Sequence, residues 1–229
     1  MIRSLVKAGV AAGAITATYA LFLRKWSLTW GATPEEIGRE LPGDELLPPP
    51  CLISTRAVTI GATTDAVWPW LVQMGSGRAG AYTYDWIENL LGLNMHSADK
   101  ILPEYQDLKV GDKLPLGDKG PVMCAEIVEP GRALVFRSGD GTWVWAFILL
   151  AQGKTTRLIS RNRISTPDAA PSAKLLNLLI VEPGSLIMER KMLLGIRDRA
   201  ERTTPEGTGV QSPAPAADAI RPLAPELPH

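Results

Sequence analysis

Histidine and cysteine are almost missing from this chain. His96 is the only histidine besides the final residue, His229, and the only cysteines are Cys51 and Cys124. Two cysteines cannot make a disulfide framework. A single bridge between them is the alternative to two free thiols in a reducing compartment, which is the simpler reading. One internal histidine and two distant cysteines give no cluster with zinc spacing. No EF-hand or similar carboxylate loop is present either, so no metal and no cofactor is expected. Net charge is absent too. The 24 basic and 24 acidic residues cancel, which gives no support for a nucleic-acid surface. Phenylalanine is scarce, three residues against seven tryptophans. Indole is large, flat and carries a donor, so it suits cavity walls and membrane interfaces as well as cores.

What is present is ordinary in amount: 45% apolar residues over 229 positions, enough for one good-sized domain with extras or for two small ones. The N-terminus is the most apolar stretch. From Ala8 to Leu23 there are 16 uncharged residues, about 24 Å of helix against a hydrocarbon core of roughly 30 Å. Counting from Leu5, with Lys7 snorkelling, gives 19 residues, and Trp26 and Trp30 then fall at an interfacial belt. Residues 1–26 therefore read as a single membrane anchor. A signal peptide cleaved near Thr18-Tyr19-Ala20 and an Ala-rich helix packed on the domain are the alternatives. Basic residues balance on the two sides and do not orient the segment; a cytoplasmic domain is favoured. Residues 27–53 are acidic and proline-rich, a linker or a strap over the domain surface. The domain spans 54–202, and the proline-rich tail 203–229 reads as disordered.

Within the domain, Thr55–Ile60 alternates as a strand, and Thr63-Thr64-Asp65 offers caps for a short helix that contains Pro69. Gly75-Ser76-Gly77-Arg78-Ala79-Gly80 matches G-x-G-x-x-G literally. The dinucleotide fingerprint needs a strand before it and a βαβ unit around it, so this is read as a flexible loop. Tyr84–Leu91 forms a short helix. Strands follow at Val122–Val128, Ala133–Ser138, Trp143–Leu150 and Thr155–Ile164, separated by turn signals, which describes an antiparallel meander.

The last hairpin carries a parity argument. With a loop of Gln152-Gly153 or Gly153-Lys154, Trp143, Trp145 and Phe147 share a face with Leu158, Ser160 and Asn162. Val144, Arg157, Arg161 and Arg163 share the other. The three arginines mark that second face as the wet one. The tryptophan face is then inside, and Ser160 and Asn162 need partners there or a cavity. After the sheet, an apolar helical run from Pro171 to Glu182 breaks at Pro183-Gly184, and a second helix runs from Ser185 to about Arg202. Met188 and Met192 share its stripe, and Gly195 permits close approach to the sheet.

Residues 74–112 hold the densest set of candidate side chains. His96 reads as a general base at a cavity mouth or as a loop cap beside Ser97 and Asp99, with the cap preferred. Asp85 and Glu88, three apart on a helix, read as an acid/base pair or as structural carboxylates, one of them bridging Arg78 or an arginine of the sheet. The structural use is preferred. Tyr82 and Trp86, at i and i+4, are the better cavity candidates among the aromatics.

The stretches AVWPWLVQMGSGRAGAYTYDWIENLLG, HSADKILPEYQDLKVGD and EPGSLIMERKMLLGIRDRAE resemble those of SRPBCC (START-like) superfamily proteins, often labelled polyketide cyclase/dehydrase or lipid transport. The similarity covers roughly residues 30 to 202, in a subgroup in which an N-terminal hydrophobic segment is common. The resemblance implies an α+β helix-grip fold, a curved antiparallel sheet wrapped around a long C-terminal helix with an elongated apolar cavity between them. On that implication Tyr82, Trp86, His96, Trp143 and Trp145 face the ligand, with Asn162, Met188 and Met192 opposite or beside them. The expected function is binding of a hydrophobic small molecule or lipid by a membrane-tethered carrier or sensor, with no chemistry. The alternative is a cyclase- or hydratase-type enzyme on a polyketide-like substrate, with His96 and Tyr82, Asp85 or Glu88 as acid and base. A third is an interaction scaffold whose cavity its own side chains fill.

Overall fold

A computed structural model describes residues 19–47, 49–117 and 120–203. Most of the N-terminal apolar run and the proline-rich tail lie outside the described residues. Among the described residues there are six strands, and alternation of apolar, often β-branched or aromatic, residues sets the longer ones: β1 (Leu52–Ile60), β2 (Lys113–Pro115), β3 (Val122–Glu129), β4 (Ala133–Ser138), β5 (Trp143–Gln152) and β6 (Thr155–Ile164). All pairings are antiparallel and the order is β1-β6-β5-β4-β3-β2, so the first strand closes against the last. β2, a three-residue edge strand ending in Pro115, was not anticipated; it is too short to show a period. An irregularity between Ala125 and Ile127 bends β3.

The hairpin parity is observed. Trp145 lies opposite Asn162 and Phe147 opposite Ser160, across a Gly153-Lys154 loop. Gly153 takes φ +66 there, as a two-residue hairpin loop of this kind requires. Phe136, Phe147, Leu149 and Leu158 enter one core on the inner face of the sheet.

Among the described residues six α-helices accompany the sheet: α1 (Arg24–Leu28), α2 (Pro34–Gly38), α3 (Thr64–Val72), α4 (Asp85–Leu90), α5 (Pro171–Leu176) and α6 (Glu182–Thr203). A π-helical turn, Tyr19–Leu23, precedes α1, and a second, Asn177–Val181, joins α5 to α6. The expected break at Pro183-Gly184 does not occur, because helical structure runs without interruption from Pro171 to Thr203. The wider bonding of the π-turn just before Pro183 accommodates a residue that has no N–H to give. α6 lies on the inner face and buries Met192, Leu193, Ile196 and Ala200 in the same core as α3. The arrangement is α+β, a curved six-stranded antiparallel sheet holding a long C-terminal helix. Among the described residues no helix is long and apolar enough to cross a membrane.

The other face of the sheet corrects the sequence reading. It is not wet. A second core forms there from Leu41, Val135, Val144, Ile148 and Ile159, with Ala32, Leu46 and Leu47 packed on it. Residues 31–47 thus lie across the sheet, and the three arginines bind them. Arg157 pairs with Glu36, and Arg161 and Arg163 pair with Asp44. Trp30 is half-buried against the inner core. Its carbonyl accepts from Ala57 N–H at 3.1 Å, and Arg190 sits over its ring.

Helix α2 opens with Thr33 as cap and Pro34 at its first turn, closing a capping box with Glu36. Burial alone would raise the Glu36 carboxyl, but Arg157 and the Thr33 N–H outweigh it and hold it below the ordinary value. A depressed folded-state pKa contributes stability that is present above the unfolded value, about 4.3, and lost as pH falls through the folded one. The segment 31–47 is therefore expected to gain hydrogen–deuterium exchange under acid before the inner core does. In Glu36→Gln that acid-specific difference is expected to vanish.

Candidate functional site

A cavity of about 270 Å³ opens between the inner face of the sheet and the segment that follows α3. Met123, Phe136, Trp143, Trp145 and Phe147 line it on the sheet side, and Met74, Ala81, Glu88, Leu93 and Met95 on the other. The wall is almost wholly apolar. Trp143 and Trp145 stack at 5.5 Å between ring centroids, and Phe147 tilts against Trp145 at 4.8 Å.

Polar groups behind the rings hold them in place. Trp143 Nε1 donates to Asn162 Oδ1 at 2.8 Å, and Trp145 Nε1 to Ser160 Oγ at 3.0 Å. Each indole thus satisfies its donor on a neighbouring strand and lines the cavity with its apolar body. Asn162 Nδ2 in turn donates to Glu189 of α6 at 3.2 Å. Glu189 pairs with Arg56 of β1, which is fully buried and also donates to Ser27 O and Ser185 Oγ, each at 3.0 Å. Burial pushes the Glu189 carboxyl above the ordinary carboxylate range, and the Arg56 guanidinium works against that push.

Glu88 is the one titratable side chain on the cavity wall among the described residues. It is 5% exposed, and its Oε2 has no hydrogen-bond partner. Burial raises its pKa. Thr83, whose hydroxyl makes no hydrogen bond of full geometry, eases this only in part, and the Asp85 charge adds to it.

No family model and no curated protein matches the chain. Solved structures with a similar outline exist. One is a polyketide-cyclase-like protein of Corynebacterium glutamicum, 13% identical, covering 66% of this chain and 91% of its own, with a TM-score of 0.43. Another is the self-sacrificing resistance protein CalC of Micromonospora echinospora, also 13% identical, covering 67% and 97%, with a TM-score of 0.43. At these values the likeness says nothing about what this chain binds.

The structure sorts the candidate residues. Trp143 and Trp145 line the cavity, and Asn162 stands behind them. Trp86 does not line it; it is 70% exposed, on the outer side of α4, while Glu88 turns inward. His96 is exposed and is not part of the wall. The loop beside it is closed by Asp85, which accepts from the Ser97 backbone N–H and hydroxyl, so neither Asp85 nor Glu88 bridges Arg78. Arg78 instead donates to Val72 O and Tyr105 O. Met192 is 1% exposed in the core and Met188 is half-buried; neither reaches the cavity.

Tyr82 is a core residue, not a cavity one. Its hydroxyl donates to Trp70 O and accepts from Gln73 Nε2, both at 2.9 Å, and Arg199 lies over its ring. Burial raises its pKa. Its backbone sits at φ +59, outside a helix, so the i, i+4 pairing with Trp86 never forms. Gly195 approaches this residue, not the sheet. A Cβ there would lie 2.6 Å from Tyr82 O. Gly195→Val is expected to lower stability by about 2–3 kcal/mol in a urea melt, because helix and loop must part.

The loop 75–80 is tied rather than flexible. Gly75 and Gly80 exchange both backbone hydrogen bonds, and Gly77 N–H reaches Asn94 O. A helix precedes it and, among the described residues, every strand pairing is antiparallel, so the βαβ unit of the dinucleotide fingerprint is not formed around it.

Arg56 and Glu189 were missed, although a signal existed. Arg56 shares the parity of Val58 and Ile60. Glu189 falls on the stripe of Leu186, Met192, Leu193 and Ile196. A charge on an apolar face, once in a strand and once in a helix, marks a buried pair.

Proposed function

We propose that the protein binds an apolar small molecule or lipid in this cavity and acts as a carrier or sensor at a membrane, without chemistry on the ligand. The observation that carries this is the wall itself: stacked indole faces and aliphatic side chains around one carboxyl, the composition of a site that holds an apolar body and orients it by one polar group. The membrane part is supported by a second feature. Phe22, Leu23 and Trp26 are exposed where the chain arrives from residues 1–18, and Leu175, Leu176, Ile180 and Val181 are exposed on the nearby helical run. The Arg24–Glu182 pair ties the two elements together. Exposed apolar side chains of this density favour an apolar surface over water.

Native mass spectrometry of the full chain, followed by organic extraction, is expected to show one reproducible apolar companion. In Ala81→Trp, which fills the cavity, that companion is expected to be lost while the melting temperature is kept; Leu93→Trp serves if the first variant does not fold. An empty cavity in every preparation, together with no uptake of added fatty alcohol, would sink the carrier reading. A cyclase- or hydratase-type reaction on a polyketide-like substrate is the second reading. It is favoured only by Glu88, whose raised pKa suits a general acid. No second acid or base stands with it on the described wall.

A further inference from the structure

Glu88 has a place in the cavity that packing does not explain. Its neighbours on the wall, Met74, Leu93, Met95, Trp143 and Trp145, offer it no acceptor or donor, and Thr83, which is not on the wall, eases its burial without a hydrogen bond of full geometry. The two indole N–H groups are already committed to Ser160 and Asn162. An ionised carboxylate in such surroundings is expensive to keep without a partner, and a buried carboxyl oxygen left unpaired is unusual in folded proteins. An apolar side chain of similar volume would pack there at no such cost.

Among the described residues, the charge that acts on Glu88 has the same sign. Asp85 lies one helical turn earlier and is engaged by Ser97. Among the described residues no lysine or arginine lines the cavity. Local electrostatics therefore disfavour an anionic ligand and favour a cationic one. Trp143 and Trp145 line the same space, and an indole attracts a cation in addition to any apolar surface.

We propose that the ligand of this cavity is an apolar molecule carrying a single protonated amine, which pairs with Glu88 while its apolar body lies on the Trp143–Trp145 stack. The assignment rests on the reading of the cavity as a binding site and narrows its ligand class. One charge-assisted hydrogen bond on an apolar wall separates an amine from an alcohol of the same length.

The test uses three probes with one eight-carbon chain: octylamine, octanol and octanoate. Each is titrated into the full chain near neutral pH, with tryptophan fluorescence and calorimetry as readouts. The wild type is expected to bind octylamine at least tenfold more tightly than octanol, and octanoate weakest. Glu88→Gln is expected to lose that tenfold preference and keep its affinity for octanol, which also reports that the variant is folded. If it does not fold, the ranking of the three probes on the wild type decides. Equal binding of octanol and octylamine, unchanged by Glu88→Gln, overturns the amine assignment and leaves the cavity reading standing. Failure of all three probes on the wild type overturns both.

Discussion

Arg56→Met is expected to lower the unfolding free energy by about 3–5 kcal/mol, the usual cost of breaking a buried ion pair from one side. Arg56 is fully buried and Glu189 is 7% exposed, so neither charge has water to fall back on. Removing the guanidinium leaves the Glu189 carboxyl with Asn162 and Ser160 as neutral partners. The carboxyl then takes up a proton more readily, and its folded pKa moves further above the unfolded value. Stability from such a group is fully present below the unfolded value, about 4.3, and is lost as pH rises through the folded one. Urea melts of Arg56→Met are therefore expected to show a smaller deficit at acid pH than at neutral pH. The double variant Arg56→Met/Glu189→Leu is expected to recover most of the loss, because no uncompensated charge remains. A single-variant deficit below about 1 kcal/mol would show that the pair is not desolvated as the geometry requires. Since Asn162 links Glu189 to the Trp143 indole, the single variant should also shift tryptophan emission.

Arg161→Leu is expected to cost a similar amount, about 3–5 kcal/mol, but on the opposite face of the sheet. Arg161 is 3% exposed and donates to Glu36 O at 2.6 Å, Arg39 O at 2.9 Å, Ile37 O at 3.1 Å and Asp44 Oδ2 at 2.6 Å. One planar guanidinium satisfies three carbonyls at the end of α2 together with a carboxylate. Leucine fills part of the volume and leaves all three carbonyls unpaired beneath the strap. Arg161→Lys is expected to recover little, because a single ammonium cannot span acceptors that a flat fork reaches at once. The measurement is a urea melt paired with limited proteolysis. Cleavage within residues 31–47 should precede loss of the inner core in Arg161→Leu and not in the wild type. Simultaneous loss of both would mean that the strap and the core unfold as one unit.

Of the candidate cavity residues, those on strands were legible and those in the connecting segment were not. Trp143 and Trp145 face inward because alternation across a short hairpin loop leaves only one parity open. Tyr82, Trp86 and His96 had no such rule. Treating Tyr82 as helical paired it with Trp86, but a positive φ takes it out of any helix and into the core. On α4, a helix of 6 residues, which of Trp86 and Glu88 turns inward was open in the sequence. In the assembled fold Glu88 is buried on the cavity wall and the indole is left outside. An apolarity scale alone makes the opposite choice.

Period and loop length by themselves determined the meander from β3 to β6, the inward face of the tryptophans and the apolar stripe of α6. These are local properties, set by backbone geometry over a few residues. Whether the arginine face met water was decided elsewhere. Arg157 and Arg161 find their acid partners 121 and 117 positions away, in a segment whose own composition reads equally well as a free linker. The continuity of the helical rod past Pro183, the Arg56–Glu189 pair and the lone carboxyl in the cavity belong to the same class. A strand or helix dictates where its side chains point, but only the assembled fold decides what stands opposite them. That pairing converts a charged face into a dry one and an ordinary glutamate into a candidate anchor for a ligand.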